Sequence, residues 1–226
     1  VAESLRIHFQ EELALIEEQT LGALDLVVSA LDRVLEALET RDIELAALIV
    51  QDDDIIDGRY LEVHQRILSL MARQAPVAGD LRVVASLLHV IKHAERMGDQ
   101  CVNVAKLLPI GGYDAPVHEG MLSRIEEMGR CVRSEILQCK QAFALRDVAL
   151  AEDLVGRDAR VNKLQRECFN LAVEGGTDAD RRETAMSMML MARAMERIGD
   201  NAVDIGEQVA FVVEGLFREF SDASHG

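Results

Sequence analysis

The sequence predicts an all-α fold made of two three-helix bundles in tandem, six long helices in all, and three observations point there. Apolar residues recur at steps of three and four along most of the 226 residues, which is the period of one helical face. The composition suits helix: hydrophobic residues reach 49%, aromatics only 4%, Pro occurs three times and Trp is absent, and a chain rich in Ala, Leu, Val, Glu and Arg but poor in Pro favours helix over sheet. Two stretches also recur. RDIELA at 41–46 is echoed by RDVALA at 146–151, and ERMGD at 95–99 by ERIGD at 196–200. The offsets are 105 and 101 residues, so an internal repeat of about 105 residues, three helices per copy, is the economical account.

In chain order the periodicity predicts helices over 4–39, 42–74, 77–108, 117–145, 147–174 and 179–217. The first and second meet at Arg41-Asp42, the fourth and fifth at Arg146-Asp147, and both Asp residues are placed to cap the helix that follows. Pro76 separates the second from the third. LPIGGYDAP at 108–116 joins the two copies, and EGGTDAD at 174–180 separates the last two helices. Connections this short make sequential helices antiparallel neighbours. The first bundle is expected within 1–110 and the second within 111–226.

Composition also excludes functions. Lys plus Arg number 24 against 40 Asp plus Glu, a net charge of −16, so nucleic acid and anionic membrane surfaces are repelled by the overall field. No apolar run approaches the roughly 20 residues of a membrane span, and no basic-then-apolar leader opens the sequence. Those features predict a cytoplasmic protein without membrane insertion. Cys101, Cys131, Cys139 and Cys168 show no paired spacing and read as reduced, buried thiols.

The chemistry lies in acids on an apolar stripe. Residues four apart on a helix differ by about 40°, so Glu95, Asp99 and Asn103 form a ladder on one face, as do Glu196, Asp200 and Asp204. Upstream these ladders run into Val84 and Leu88, and into Ala185 and Met189. A buried carboxylate without compensation costs several kcal/mol, so each ladder calls for cations, hydrogen bonds or protonation. Arg96 and Arg197 follow their Glu directly but point about 100° away; a structural or docking role suits them. Asp53 and Asp57 supply a second acidic pair in the first copy, and Asp158 with Asn162 its counterpart in the second. Such all-oxygen clusters suit magnesium, calcium, manganese or iron. His93 lies about 200° round the helix from Glu95, so His89 and His93 read as surface or capping residues. The methionines at 186, 188, 189, 191 and 195 occupy all helical phases and read mainly as core.

The paired ERMGD and ERIGD helices, the run QAPVAGDLR at 74–82 and Asp53-x-x-Ile56-Asp57 resemble the PhoU family of phosphate-signalling regulators across essentially the whole chain. The resemblance implies a non-enzymatic homodimer of three-helix bundles with multinuclear metal sites. The first would use Asp53, Asp57, Glu95 and Asp99, and the second Asp158, Glu196 and Asp200. Asn103 and Asp204 stand on the next turn, Asn162 departs from the carboxylate pattern, and Arg82 is a structural or docking residue. The implied metal is iron, zinc or another divalent or trivalent ion. The implied role is negative regulation of phosphate uptake and of the starvation response, as an adaptor between a phosphate ABC transporter ATPase and a sensor histidine kinase. The alternatives are an accessory protein of an ion-coupled phosphate transporter and a ferritin-like carboxylate enzyme. The latter requires Glu-x-x-His, which occurs nowhere in the chain.

Overall fold

The two RD echoes fold identically, and they set the frame of the molecule. Helix α1 (Ala2–Thr40) ends with Arg41 in the left-handed region, φ 57°, and the Asp42 N–H reaches back to the Ala37 carbonyl at 3.0 Å. The Asp42 side chain then accepts the Leu45 N–H at 2.9 Å and opens α2 (Ile43–Gln51). In the second copy α5 (Glu119–Leu145) ends on Arg146, φ 56°, and the Asp147 N–H bonds Ala142 O at 3.0 Å. Asp147 then caps Leu150 at 3.0 Å, opening α6 (Val148–Gly175). Both Asp residues cap as the sequence predicts. A non-glycine residue with positive φ costs free energy, here offset by the carbonyls that the turn satisfies.

The computed structural model describes residues 2–73, 76–111, 118–175 and 179–220. Gln74 and Ala75, most of the joint between the copies and the centre of the 174–180 turn lie outside the described residues, as does the expected helix start at 117. The remaining elements are α3 (Asp54–Arg73), α4 (Ala78–Leu107), a 3₁₀ turn (Leu108–Gly111) and α7 (Ala179–Glu214).

One predicted helix is two. The expected run over 42–74 breaks at Asp52-Asp53, where Asp52 adopts φ −85°, ψ 7° and its amide closes α2 on the Leu48 carbonyl. Three successive Asp residues are poor helix formers, whereas Asp54 and Asp57 in the first turn of α3 oppose its dipole favourably. Arg33 of α1 pairs with Asp52 at 2.7 Å. Around Asp158 the flanking residues are Arg157 and Ala159, and α6 runs unbroken. At the other end, α7 stops at Glu214 rather than 217 because Gly215 turns to φ 81°.

Helices α1, α2/α3 and α4 pack together, as do α5, α6 and α7. The two sets join along α4–α7 and α1–α5, and one hydrophobic core runs through both, from Phe9 to Val209. Along the α1–α5 seam, Arg146 meets Glu17, Lys140 meets Asp25 and Arg133 meets Asp32. That order makes the two helices antiparallel, and Gly129 gives room to Leu35 at their close approach. Met188, Met191 and Met195 are buried while Met186 is exposed, and Cys101, Cys139 and Cys168 are buried thiols with Cys131 half-buried.

Candidate functional site: acidic ladders in both repeats

In QAPVAGDLR the part within the described residues is a fastening. Asp80, almost fully buried, accepts the Val77 N–H at the start of α4, Gln10 Nε2 at 3.0 Å and the Arg6 guanidinium from α1. Burial would raise its pKa, but these hydrogen bonds outweigh that and hold it below the usual carboxylate range. Arg82 lies half-buried, its guanidinium packed against Gly215 just past the end of α7.

The first ladder assembles from α3 and α4. Carboxylate oxygens of Asp57, Glu95 and Asp99 come within 4.8 Å of one another. Oxygens on opposite sides of a divalent ion stand about 4–5 Å apart, since each bond is about 2.0–2.6 Å, so these three residues fit a hard cation. Asp57 and Asp99 both have raised pKa values, chiefly from loss of surrounding water and then from neighbouring acids, Asp53 among them. Asp53 itself sits in the turn between α2 and α3 and acts on the group through its charge, outside the three-residue cluster. Asn103 is exposed one turn beyond. The ladder also has a built-in cation, which the sequence reading passed over. Lys92 holds both oxygens of Glu95 at 2.7 Å and lies 5.0 Å from the Tyr60 ring centroid. Its signal was the i,i+3 spacing, and Arg193 repeats it by pairing with Glu196.

The second ladder is assembled differently. Asp158 is buried on α6 and accepts the Asn162 amide at 2.6 Å, while Glu196 is buried on α7 with Oε2 lacking a hydrogen-bond partner. Loss of surrounding water raises the pKa of buried Glu196, and the protein packed around Asp200 does the same there although much of the side chain's own surface is open; Arg193 opposes both shifts. Asp204 leaves the ladder for the other repeat, 3.5 Å from His93 Nδ1, whose principal partner is Asn201 Oδ1 at 2.7 Å. The surface role expected of His93 is therefore corrected: it is buried between α4 and α7, and burial first of all lowers its pKa. His89 is exposed, with its ring edge to Phe217. Arg96 and Arg197 are exposed beside the ladders.

A second residue that sequence reasoning missed is Glu135 on α5. It is 1% exposed, and neither side-chain oxygen has a hydrogen-bond partner. Burial, and then the charge of Asp158, push its pKa up to about 8. The signal was present in the periodicity. Buried Ile125, Met128, Val132, Cys139 and Ala142 follow alternating steps of three and four, and Glu135 fills the vacant core position between Val132 and Cys139.

Comparison with known proteins agrees with this architecture. The PhoU domain model matches twice, at residues 21–108 and 125–209. A phosphate-specific transport system accessory protein PhoU homolog of Clostridium acetobutylicum is 27% identical over 216 residues, covering 95% of this chain and 98% of its own. A protein of the same description from Zymomonas mobilis is 33% identical over 187 residues, covering 82% and 78%. Among solved structures, the phosphate transport system regulatory protein PhoU of Streptococcus pneumoniae superposes with a TM-score of 0.86 at 23% identity, covering 93% of this chain and 99% of its own. PhoU of Pseudomonas aeruginosa gives 0.85 at 25%, covering 92% and 100%. These relatives are described as accessory and regulatory proteins, not as enzymes. With two tandem matches, one in each three-helix repeat and together spanning most of its length, this chain belongs to the PhoU family.

Proposed function

We propose that this protein is an accessory regulator of phosphate transport that also holds the phosphate-starvation response off when phosphate is plentiful. The observation that carries this reading is the near full-length alignment with phosphate-specific transport accessory proteins, in which both repeats take part. In the finer version of the proposal it is a cytoplasmic adaptor, working as a homodimer between the ATPase of a phosphate ABC transporter and a sensor histidine kinase. Its body supports that role: a long helical surface of net charge −16 and, among the described residues, acids that stand without a nucleophile-and-base arrangement. The ladders would hold metal ions, with Asp57, Glu95 and Asp99 as the first set and Asp158, Glu196 and Asp200 as the second. Iron, zinc, manganese, magnesium and calcium are the candidate ions. Such an ion would neutralise clustered acids and add its binding free energy to the folded bundle.

The test is a starvation reporter, alkaline phosphatase output, in phosphate-rich medium after deletion of the gene. High output on deletion, silenced by a restored wild-type copy, is the expected result. Unchanged output, with phosphate uptake altered instead, would move the protein to service of an ion-coupled transporter. If both are unchanged, the regulatory reading fails.

A further inference from the structure

The two repeats differ at positions that their common register pairs. In the register fixed by RDIELA and RDVALA, Ala30 stands where Glu135 does, and Asp53 where Asp158 does. In the first repeat Ala30, Asp53, Ile56 and Gly98 line a small, largely apolar cavity of about 80 Å³ with Leu26 and Ile49. A side chain added at Gly98 would meet Ile56 Cδ1 at 2.8 Å. In the second repeat the equivalent space is acidic. A Cβ on Gly199 would lie 2.5 Å from Asp158 Oδ1 and 3.0 Å from Glu135 Oε2, so the two carboxylates converge on the notch that this glycine leaves in α7.

We propose that Glu135 and Asp158 form a buried cation site in the second repeat, at the Gly199 notch, which takes one divalent transition cation such as Mn²⁺. Glu135 is the decisive residue. It is almost wholly buried, aims at the notch and finds no hydrogen-bond donor for either oxygen. The nearby guanidinium does not serve it, because Arg157 is committed to Asp153 at 3.0 Å and to Ser134 at 3.2 Å. Two carboxylates enclosed together are stabilised by a positive ion held between them. The chemistry of the ion follows from the ligands. Oxygen donors suit Mg²⁺, Ca²⁺ and Mn²⁺ alike; Mn²⁺ gives up water more readily than Mg²⁺, which dehydrates reluctantly, and is smaller than Ca²⁺, so it fits an enclosed two-carboxylate notch better than either. Asn162, bonded to Asp158, and exposed Asp200, whose charge acts on Glu135, give the ion a polar approach from solvent. The site shares Asp158 with the second ladder, requires neither Glu196 nor the regulatory role, and has no counterpart in the first repeat.

The experiment is a Mn²⁺ titration of the chelator-stripped full chain, followed by loss of the free-ion paramagnetic resonance signal and by the melting temperature. The background is Asp57→Asn, Asp99→Asn, Glu196→Gln and Asp200→Asn, which removes the first-repeat cluster and the ladder acids that share Asp158. That protein should still bind one Mn²⁺ and melt at a higher temperature when it does. Adding Glu135→Gln should weaken binding at least tenfold and abolish the rise, while the metal-free melt stays at or above that of its parent, since an amide needs no counter-ion. If Glu135→Gln fails to fold, Asp158→Asn in the same background decides the question in the same way. No binding by the background protein, or binding untouched by either substitution, would overturn the site. Neither result bears on the starvation reporter, so the regulatory reading stands or falls separately.

Discussion

Gly98 and Gly199 occupy the same place in the two repeats and should respond differently to the same substitution. Alanine gains roughly 1 kcal/mol over glycine in a helix interior. At Gly98 the obstacle is chiefly the terminal methyl of Ile56, which shifts by rotation, so Gly98→Ala should leave stability within about 1 kcal/mol of wild type. At Gly199 the new methyl meets two buried carboxylate oxygens, and Gly199→Ala should destabilise by about 1–3 kcal/mol. Urea midpoints of the two variants check this; equal effects would refute the contrast. Glu135 gives a pH signature in chelator-stripped protein. Its native pKa of about 8 lies above the ordinary carboxylate value, so through that window the folded chain keeps a proton that the unfolded chain has released. Stability from this group is complete below about pH 4.5 and is lost as pH rises toward 8, by roughly 1 kcal/mol per unit. Glu135→Gln should flatten that slope in pH-dependent denaturation, and an unchanged slope would remove Glu135 as its source.

Among the elements, the helix starts were the most legible part of the sequence. Asp42 and Asp147 were readable as caps because an N-cap is a local device, one side-chain oxygen meeting an amide three residues on. Asp42→Ala and Asp147→Ala should each cost about 1 kcal/mol and be nearly additive, since the caps serve different helices. Thermal melts of the singles and the double measure both claims. The break at Asp52-Asp53 was less legible. A run of three Asp is compatible with a solvated helix turn, and Arg33, which pairs with Asp52 from α1, is nineteen residues away in sequence. The ladders lie between these cases. Four-residue spacing placed Glu95 with Asp99 on one face, but only the packing of α3 on α4 admitted Asp57 to the group and left Asp53 in the turn.

At the scale of the whole molecule, the repeats share one core rather than standing as separate bodies. Leu35 packs against Gly129, a row of acids on α1 faces a row of basic residues on α5, and His93 is buried against Asn201 and Asp204 of α7. The exposed ion pairs contribute little individually; the continuous apolar core provides the coupling. Calorimetry should therefore show a single cooperative transition, and residues 1–110 expressed alone should melt less cooperatively or self-associate through the uncovered faces of α1 and α4. Two well-separated transitions in the full chain would show the repeats to be independent. What the sequence determined by itself was everything that depends on neighbours within a turn or two: helix period, caps, the internal repeat and the four-residue acid spacing. The tertiary structure alone decided which acids meet, that His93 lies inside, and that Glu135 and Asp158 converge at Gly199. Those outcomes depend on how helices far apart in sequence rotate about their axes to fill a common core, and a periodic pattern leaves that rotation open by the width of its apolar stripe.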